Sequence, residues 1–370
     1  MIADSEAAAE SAAIESTDMS HGARVAAHSA VSTSLALCSD HQLRDLVDAA
    51  APLGSGIGGK TSLLDVGGTP VFVKRVPLTD LEMLPENAWS TANLFGLPDF
   101  CHLGVGVPGC AGFGAWRELA VHTMTTNWVL AQEFEGFPLT YHWRVLPHPG
   151  QSLPEEIADV EKTVAYWGGG QAVRRRIEGL RDSTASITLF LEYIPQNLHD
   201  WLGVQVKADD ETAERACAMV VKELEAGISF MNARGLLHFD THFQNIMTDG
   251  RRLFFADYGL ALSSRFDLSE DEAEFFDRHQ TYDNCYSFTH LAIWLATALY
   301  GYQRDERAAF LRACAQGELP TGIPPEIAAI ITRHAPTAVV MTDFYREFQG
   351  ESRQTPYPLE ELRRIGATTT

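Results

Sequence analysis

Residues 236 to 259 read LLHFDTHFQNIMTDGRRLFFADYG and form the densest polar grouping in the chain. Asp240 and Asn245 stand five residues apart, a turn at Asp249-Gly250 joins two short β-type runs, and Asp257 comes just before Tyr258-Gly259. A hairpin with an acid and an amide on one side of its turn and a second acid on the other directs oxygen ligands at a common point. Hard cations such as Mg²⁺ take such ligands together with phosphate oxygens. Without a cation, clustered carboxylates raise each other's pKa and resist ionisation.

Upstream, residues 54 to 61 read GSGIGGKT. These letters satisfy both G-x-x-x-x-G-K-[ST] and, at Gly54, Gly56 and Gly59, G-x-G-x-x-G, so the stretch alone does not choose between two ways of holding a nucleotide. A P-loop needs a helix immediately after it, with its N-terminus on the phosphates. The chain continues instead with SLLDV, the turn GGTP and VFVKRV, two β-type runs joined at Gly67-Gly68, which is a hairpin signature. The expected order is strand, glycine-rich turn, strand, tight turn, strand.

Taken together and in order, these stretches resemble the protein-kinase-like superfamily. His238, Asp240 and Asn245 match its H-x-D-x-x-x-x-N loop; Asp257, Tyr258 and Gly259 match D-F-G with Tyr for Phe; Val71, Phe72, Val73 and Lys74 match V-A-I-K. The resemblance implies a two-lobed α+β fold, mainly antiparallel β in the N-lobe and mainly α-helical in the C-lobe. A mobile tail is expected over residues 1–35, an N-lobe over 36–194 with insertions at 79–115 and 147–185, and a C-lobe over 195–370. It also implies roles: Asp240 orients the acceptor hydroxyl and takes its proton, Asn245 and Asp257 hold Mg²⁺, and Lys74 neutralises the ATP α and β phosphates. Gly54, Gly56 and Gly59 cover those phosphates, and backbone groups from Glu192 to Ile194 meet adenine. Glu118 is the candidate partner of Lys74, with the insertion at 79–115 looped out between them. His238 is expected as a packed ring bracing the loop, and His242 as a loop-supporting or substrate-facing group.

Two departures bear on the acceptor. Phe239 and His242 stand where conventional serine/threonine kinases carry Arg and Lys, which removes the usual receiver of an activation-loop phosphate. The segment after Gly259 is short and acidic and lacks A-P-E. The expected activity is phosphorylation of Ser or Thr hydroxyls of a protein or peptide. A small hydroxyl-bearing substrate, as in aminoglycoside and choline kinases, is the second expectation. A pseudokinase-type binding protein is the third, disfavoured because Lys74, Asp240, Asn245 and Asp257 are all present.

Composition sets outer limits. The 370 residues carry 49 acids against 28 Lys and Arg, a formal charge of −21, a field that repels nucleic acid and anionic lipid, so neither is an expected partner. No apolar run approaches the ~18 residues of a membrane span. Six cysteines without C-x-x-C spacing read as reduced thiols of a cytoplasmic protein. Cys101, His102 and Cys110 read as loop or core residues, and Arg174, Arg175, Arg176 and Arg181 as a solvated helix face. Helices are expected over WRELAVHTMTTNWVLA, SLPEEIADVEKTV and ETAERACAMVVKELEAGISFMNARG, and a buried one over SFTHLAIWLATALYG. YHWRVL and ITLFLEYI read as strands.

Overall fold

The computed structural model describes residues 19–56, 59–106, 108–147 and 152–367. Its N-terminal part is built on one antiparallel sheet of strands β1 (Ala51–Gly56), β2 (Gly59–Val66), β3 (Thr69–Leu78), β4 (Thr140–Pro147) and β5 (Ala185–Glu192), in the order β1-β2-β3-β5-β4. GSGIGGKT therefore forms the facing ends of a hairpin, with Gly56 opposite Gly59 and Gly54 opposite Thr61. No helix springs from Thr61. Among the described glycines of this stretch, Gly59 is the one whose place demands glycine: its φ is +114°, and a Cβ there would lie 1.9 Å from the Arg75 carbonyl oxygen on β3.

Period-two alternation sorts the two faces of this sheet. Val76 and Leu78 on β3 and Ile187, Leu189 and Leu191 on β5 pack against Ala115, Trp116 and Leu119 of helix α4 (Ala115–Leu130). Val71, Val73 and Phe190 face the other way, into a core shared with Val31, Leu35, Leu43 and Val47. Those four residues lie on helices α1 (His21–Ala36) and α2 (Asp40–Ala49).

The expected tail is thus corrected over its second half: Ser20 caps α1, its Oγ accepting the Ala23 N–H. An Ala- and Ser-rich helix with two apolar anchors is held by tertiary contacts more than by propensity. Residues 1–18 of that expectation lie outside the described residues.

The C-terminal part is mainly helical. Helix α7 (Leu198–Gln205) and the long α8 (Asp210–Ala233) precede the short strands β7 (Leu236–Leu237), β8 (Ile246–Thr248), β9 (Leu253–Phe255) and β10 (Leu262–Ser263), with β6 (Gln196–Asn197) pairing on β8. Helices α9 (Glu270–Arg278), α10 (Tyr282–Tyr300), α11 (Arg304–Ala315), α12 (Pro325–Gly350) and α13 (Leu359–Arg364) complete the chain. SFTHLAIWLATALY lies within α10, which Gly301 ends in left-handed backbone and which packs on α8, α11 and α12. Among the described residues no helix is long and apolar enough to cross a membrane.

Both expected insertions carry secondary structure among their described residues. The first contains α3 (Asp80–Met83) and a 3-10 turn at Asp99–Leu103; the second contains α5 (Val160–Tyr166) and α6 (Gln171–Asp182). The helix expected over SLPEEIADVEKTV starts late, because Asp159 caps it through the Lys162 N–H and only a 3-10 turn precedes it. The arginine face is half corrected: Arg174 and Arg181 make surface ion pairs, whereas Arg176 joins Val173, Ile177 and Leu180 on the buried stripe of α6.

Candidate active site

Lys74 shares the sheet face of Val76 and Leu78, and α4 lies across that face, so strand alternation alone aims Lys74 at the helix carrying Glu118. Lys74 Nζ is 2.8 Å from Glu118 Oε1 and 2.9 Å from Asp257 Oδ1. Lys74 and Glu118 are buried, while the Asp257 side chain keeps 41% of its surface open. Burial opposes the charge on Lys74, yet Asp257 and then Glu118 outweigh it and hold the amine protonated. Burial likewise pushes Asp257 up, but the Lys74 charge and hydrogen bond bring it down to about 2.

Asn245 and Asp257 meet at the open end of the β8–β9 hairpin. Ile246 pairs with Phe255, and the Ala256 N–H donates to the Asn245 carbonyl at 3.0 Å. Asn245 Nδ2 donates to Asp240 Oδ2 at 2.9 Å and to the Asp240 carbonyl at 3.1 Å. That commits the amide nitrogen to Asp240, so the amide oxygen is the atom of this side chain that could hold a cation. Burial and the charge of Asp257 push Asp240 up to about 7, against the pull of Asn245 and Lys74. His242 Nε2 stands 3.7 Å from Asp240 Oδ1.

The loop is braced from beneath. Asp283, at the start of α10, accepts the His238 N–H at 2.6 Å and the Phe239 N–H at 2.8 Å. Burial raises its pKa to about 6, against the pull of those two hydrogen bonds. Phe239 and Asp257 both adopt left-handed backbone, with φ of 64° and 61°, conformations costing about 1–3 kcal/mol each outside glycine. At Phe239 the Asp283 carboxylate and a fully buried ring hold the conformation in place. His238 is the packed ring expected: Nε2 lies 3.0 Å from the Ala256 carbonyl and Nδ1 accepts the Asp240 N–H at 3.4 Å. Tyr258 joins the halves, its ring 5.4 Å from His238 and 4.8 Å from His122 of α4.

The N–H and side chain of Glu192 are both engaged within the fold. Its N–H donates to the Leu139 carbonyl at 2.7 Å, and its carboxylate is taken in a bidentate pair by Arg24 of α1, both bonds 2.8 Å. Arg24 also donates to the carbonyls of Glu135 and Phe137. Neither the N–H nor the side chain of Glu192 is therefore free for a ligand.

The segment after Asp257 is not bare. His102 Nδ1 lies 2.8 Å from the Leu260 carbonyl, and a Cβ at Gly104 would fall 2.4 Å from Leu260 Cδ1 and 3.9 Å from Asp240 Oδ1. The first insertion therefore folds down onto the site edge and is not looped away. Cys101 and Cys110 are buried, and the His102 ring stacks on Phe113 at 3.6 Å.

Sequence reading missed Arg24 and Asp283. Asp283 carried a faint signal, an acid opening an otherwise apolar helix; Arg24 carried none. No protein-family model matches this chain, and no curated protein matches it in sequence. The grouping sets a fixed ammonium, an amide oxygen and the raised carboxyl of Asp240 around the partly open, lowered carboxyl of Asp257, an arrangement that suits charge neutralisation beside a proton acceptor.

Proposed function

We propose that the chain is a Mg-ATP-dependent phosphotransferase with a two-lobed, protein-kinase-like fold, acting on an alcohol hydroxyl. The observation that carries the reading is Lys74 within 3 Å of both Glu118 and Asp257, three residues that strand, helix and hairpin bring together from distant parts of the chain. Lys74 would neutralise phosphate oxygens, held in place by Glu118. Asn245 Oδ1 and Asp257 would hold Mg²⁺, which would offset charge on the transferring phosphoryl group. Asp240 would accept the hydroxyl proton; a base with a pKa near the working pH suits that task. Phosphoryl transfer asks chiefly for positioning and charge compensation, and this grouping of side chains supports both.

The acceptor we favour is a Ser or Thr hydroxyl of a protein or peptide. A small hydroxyl-bearing molecule is the second reading, supported by the packing of residues 102–104 against Leu260, which narrows the surface left for a polypeptide. Incubation with Mg-ATP labelled at the γ-phosphate, alone and with candidate acceptors, tests both. Label is expected on a protein, or only on a metabolite under the second reading, and in neither case with Asp240→Ala or Lys74→Ala. ATP binding without any transfer would overturn the enzymatic reading.

A further inference from the structure

We propose that the two insertions and α9 together form a permanent clamp that keeps α4 seated with Glu118 against Lys74, and that Glu82, Arg117, Arg176 and Glu272 are its positioning residues. The start of α4 is tied at two independent points. At the first, Glu82 Oε1 accepts the Ala115 N–H at 2.7 Å and the Glu82 carbonyl accepts Trp116 Nε1 at 2.9 Å. A carboxylate on the leading N–H groups of a helix also meets the positive end of its dipole. Glu82 Oε2 is fixed in turn by Arg176 Nη1 at 3.0 Å and Thr79 Oγ1 at 2.6 Å. Arg176 Nε reaches the carbonyls of Ala111 and Gly112, just ahead of α4.

At the second point Arg117, the residue before Glu118, donates through Nη2 to Glu272 Oε1 at 2.7 Å and through Nε to the Thr91 carbonyl at 2.6 Å. Glu272 Oε2 accepts the Ser269 N–H and so caps α9, beyond the Asp257 segment. All four clamp residues are at most 3% exposed. Buried ion pairs are poor sources of net stability but penalise misplacement heavily, because a lone charge left behind is costly. Where phosphorylation would create an arginine contact on demand, Arg117 already holds a carboxylate. The seated position of α4 thus needs no covalent trigger.

The catalytic consequence rests on the phosphotransferase reading, whereas the clamp can be measured without it. In the full-length apo protein we would monitor acylation of Lys74 by acetic anhydride and hydrogen exchange over residues 115–122, for wild type, Glu272→Gln and Arg117→Lys. Should Glu272→Gln not fold, Arg117→Lys, which keeps the charge and loses the fork, carries the comparison. Faster Lys74 labelling and faster exchange confined to the start of α4 are expected; wild-type rates in a folded variant would overturn the clamp. In transfer assays kcat should fall about tenfold to a hundredfold, with no further fall when Glu272→Gln is added to Glu118→Gln. Effects that multiply instead would overturn the route through Glu118. A wild type that neither binds Mg-ADP nor transfers phosphate, but whose Lys74 labelling speeds up in the clamp variants, would sink the phosphotransferase reading and leave the clamp standing.

Discussion

Asp240 is the residue whose chemistry is most exposed to test. In the proposed role of proton acceptor it must be ionised, and burial with the neighbouring Asp257 charge puts its pKa at about 7. Activity should therefore rise as pH rises through about 7 and level off above it, since loss of the Asp240 proton produces the competent form. The pH profile of kcat/KM with saturating Mg²⁺ checks this. An acidic limb near the ordinary carboxylate value of about 4 would show that Asp240 is not the group titrating. Asp240, Asn245 and Asp257 were legible because a short hairpin fixes their convergence locally. Asp283 was not: its two hydrogen bonds run back 45 and 44 residues, and only the packing of α10 brings it beneath the loop. Glu118 sits between these cases, since the insertion that separates it from Lys74 hides the distance they keep in space.

At the scale of elements, α1 shows where composition misleads. Its Ala- and Ser-rich sequence has no strong apolar stripe, and its decisive side chain is a buried arginine that bridges β5 to the 135–137 turn. Arg24→Ala would leave the Glu192 carboxylate buried without its cation, and breaking such a pair from one side costs about 3–5 kcal/mol. Adding Glu192→Gln should restore much of that loss by removing the stranded charge. Urea unfolding of the two variants and wild type measures it. A double variant no more stable than Arg24→Ala alone would mean that α1 is held by its apolar contacts and not by the pair. The strands, by contrast, were readable: β2 and β3 as β-type runs joined at the Gly67-Gly68 turn, and β5 as an apolar run buried along its whole length. The run of α6 was readable too, yet the burial of Arg176 stems from its position on the Val173-Ile177-Leu180 stripe, which charge counting overlooked.

Over the whole molecule, the acidic surface says little about how the protein responds to acid; its interior histidines say more. Burial lowers His122 and His290 to about 3 and His238, His279 and His334 to about 4. Each stays neutral in the fold where the unfolded chain, with a histidine pKa of about 6.5, would take up a proton. Their contribution is intact above about pH 6.5 and is lost as pH falls toward 4. Asp240, Asp283 and Asp99 act oppositely: burial raises them to about 7, 6 and 6, so the fold binds protons there before the unfolded chain does. His102, which burial holds well below its ordinary value, adds to these five, so the lowered histidines outnumber the raised aspartates and unfolding near pH 5 should take up protons. Stability should therefore fall between pH 6.5 and 4.5, measured as the unfolding free energy in urea at each pH. A flat profile, or one rising toward acid, would mean that these histidines gain protons within the fold, and that the His122–Tyr258–His238 ring contact joining α4 to the Asp240 loop is charged rather than neutral.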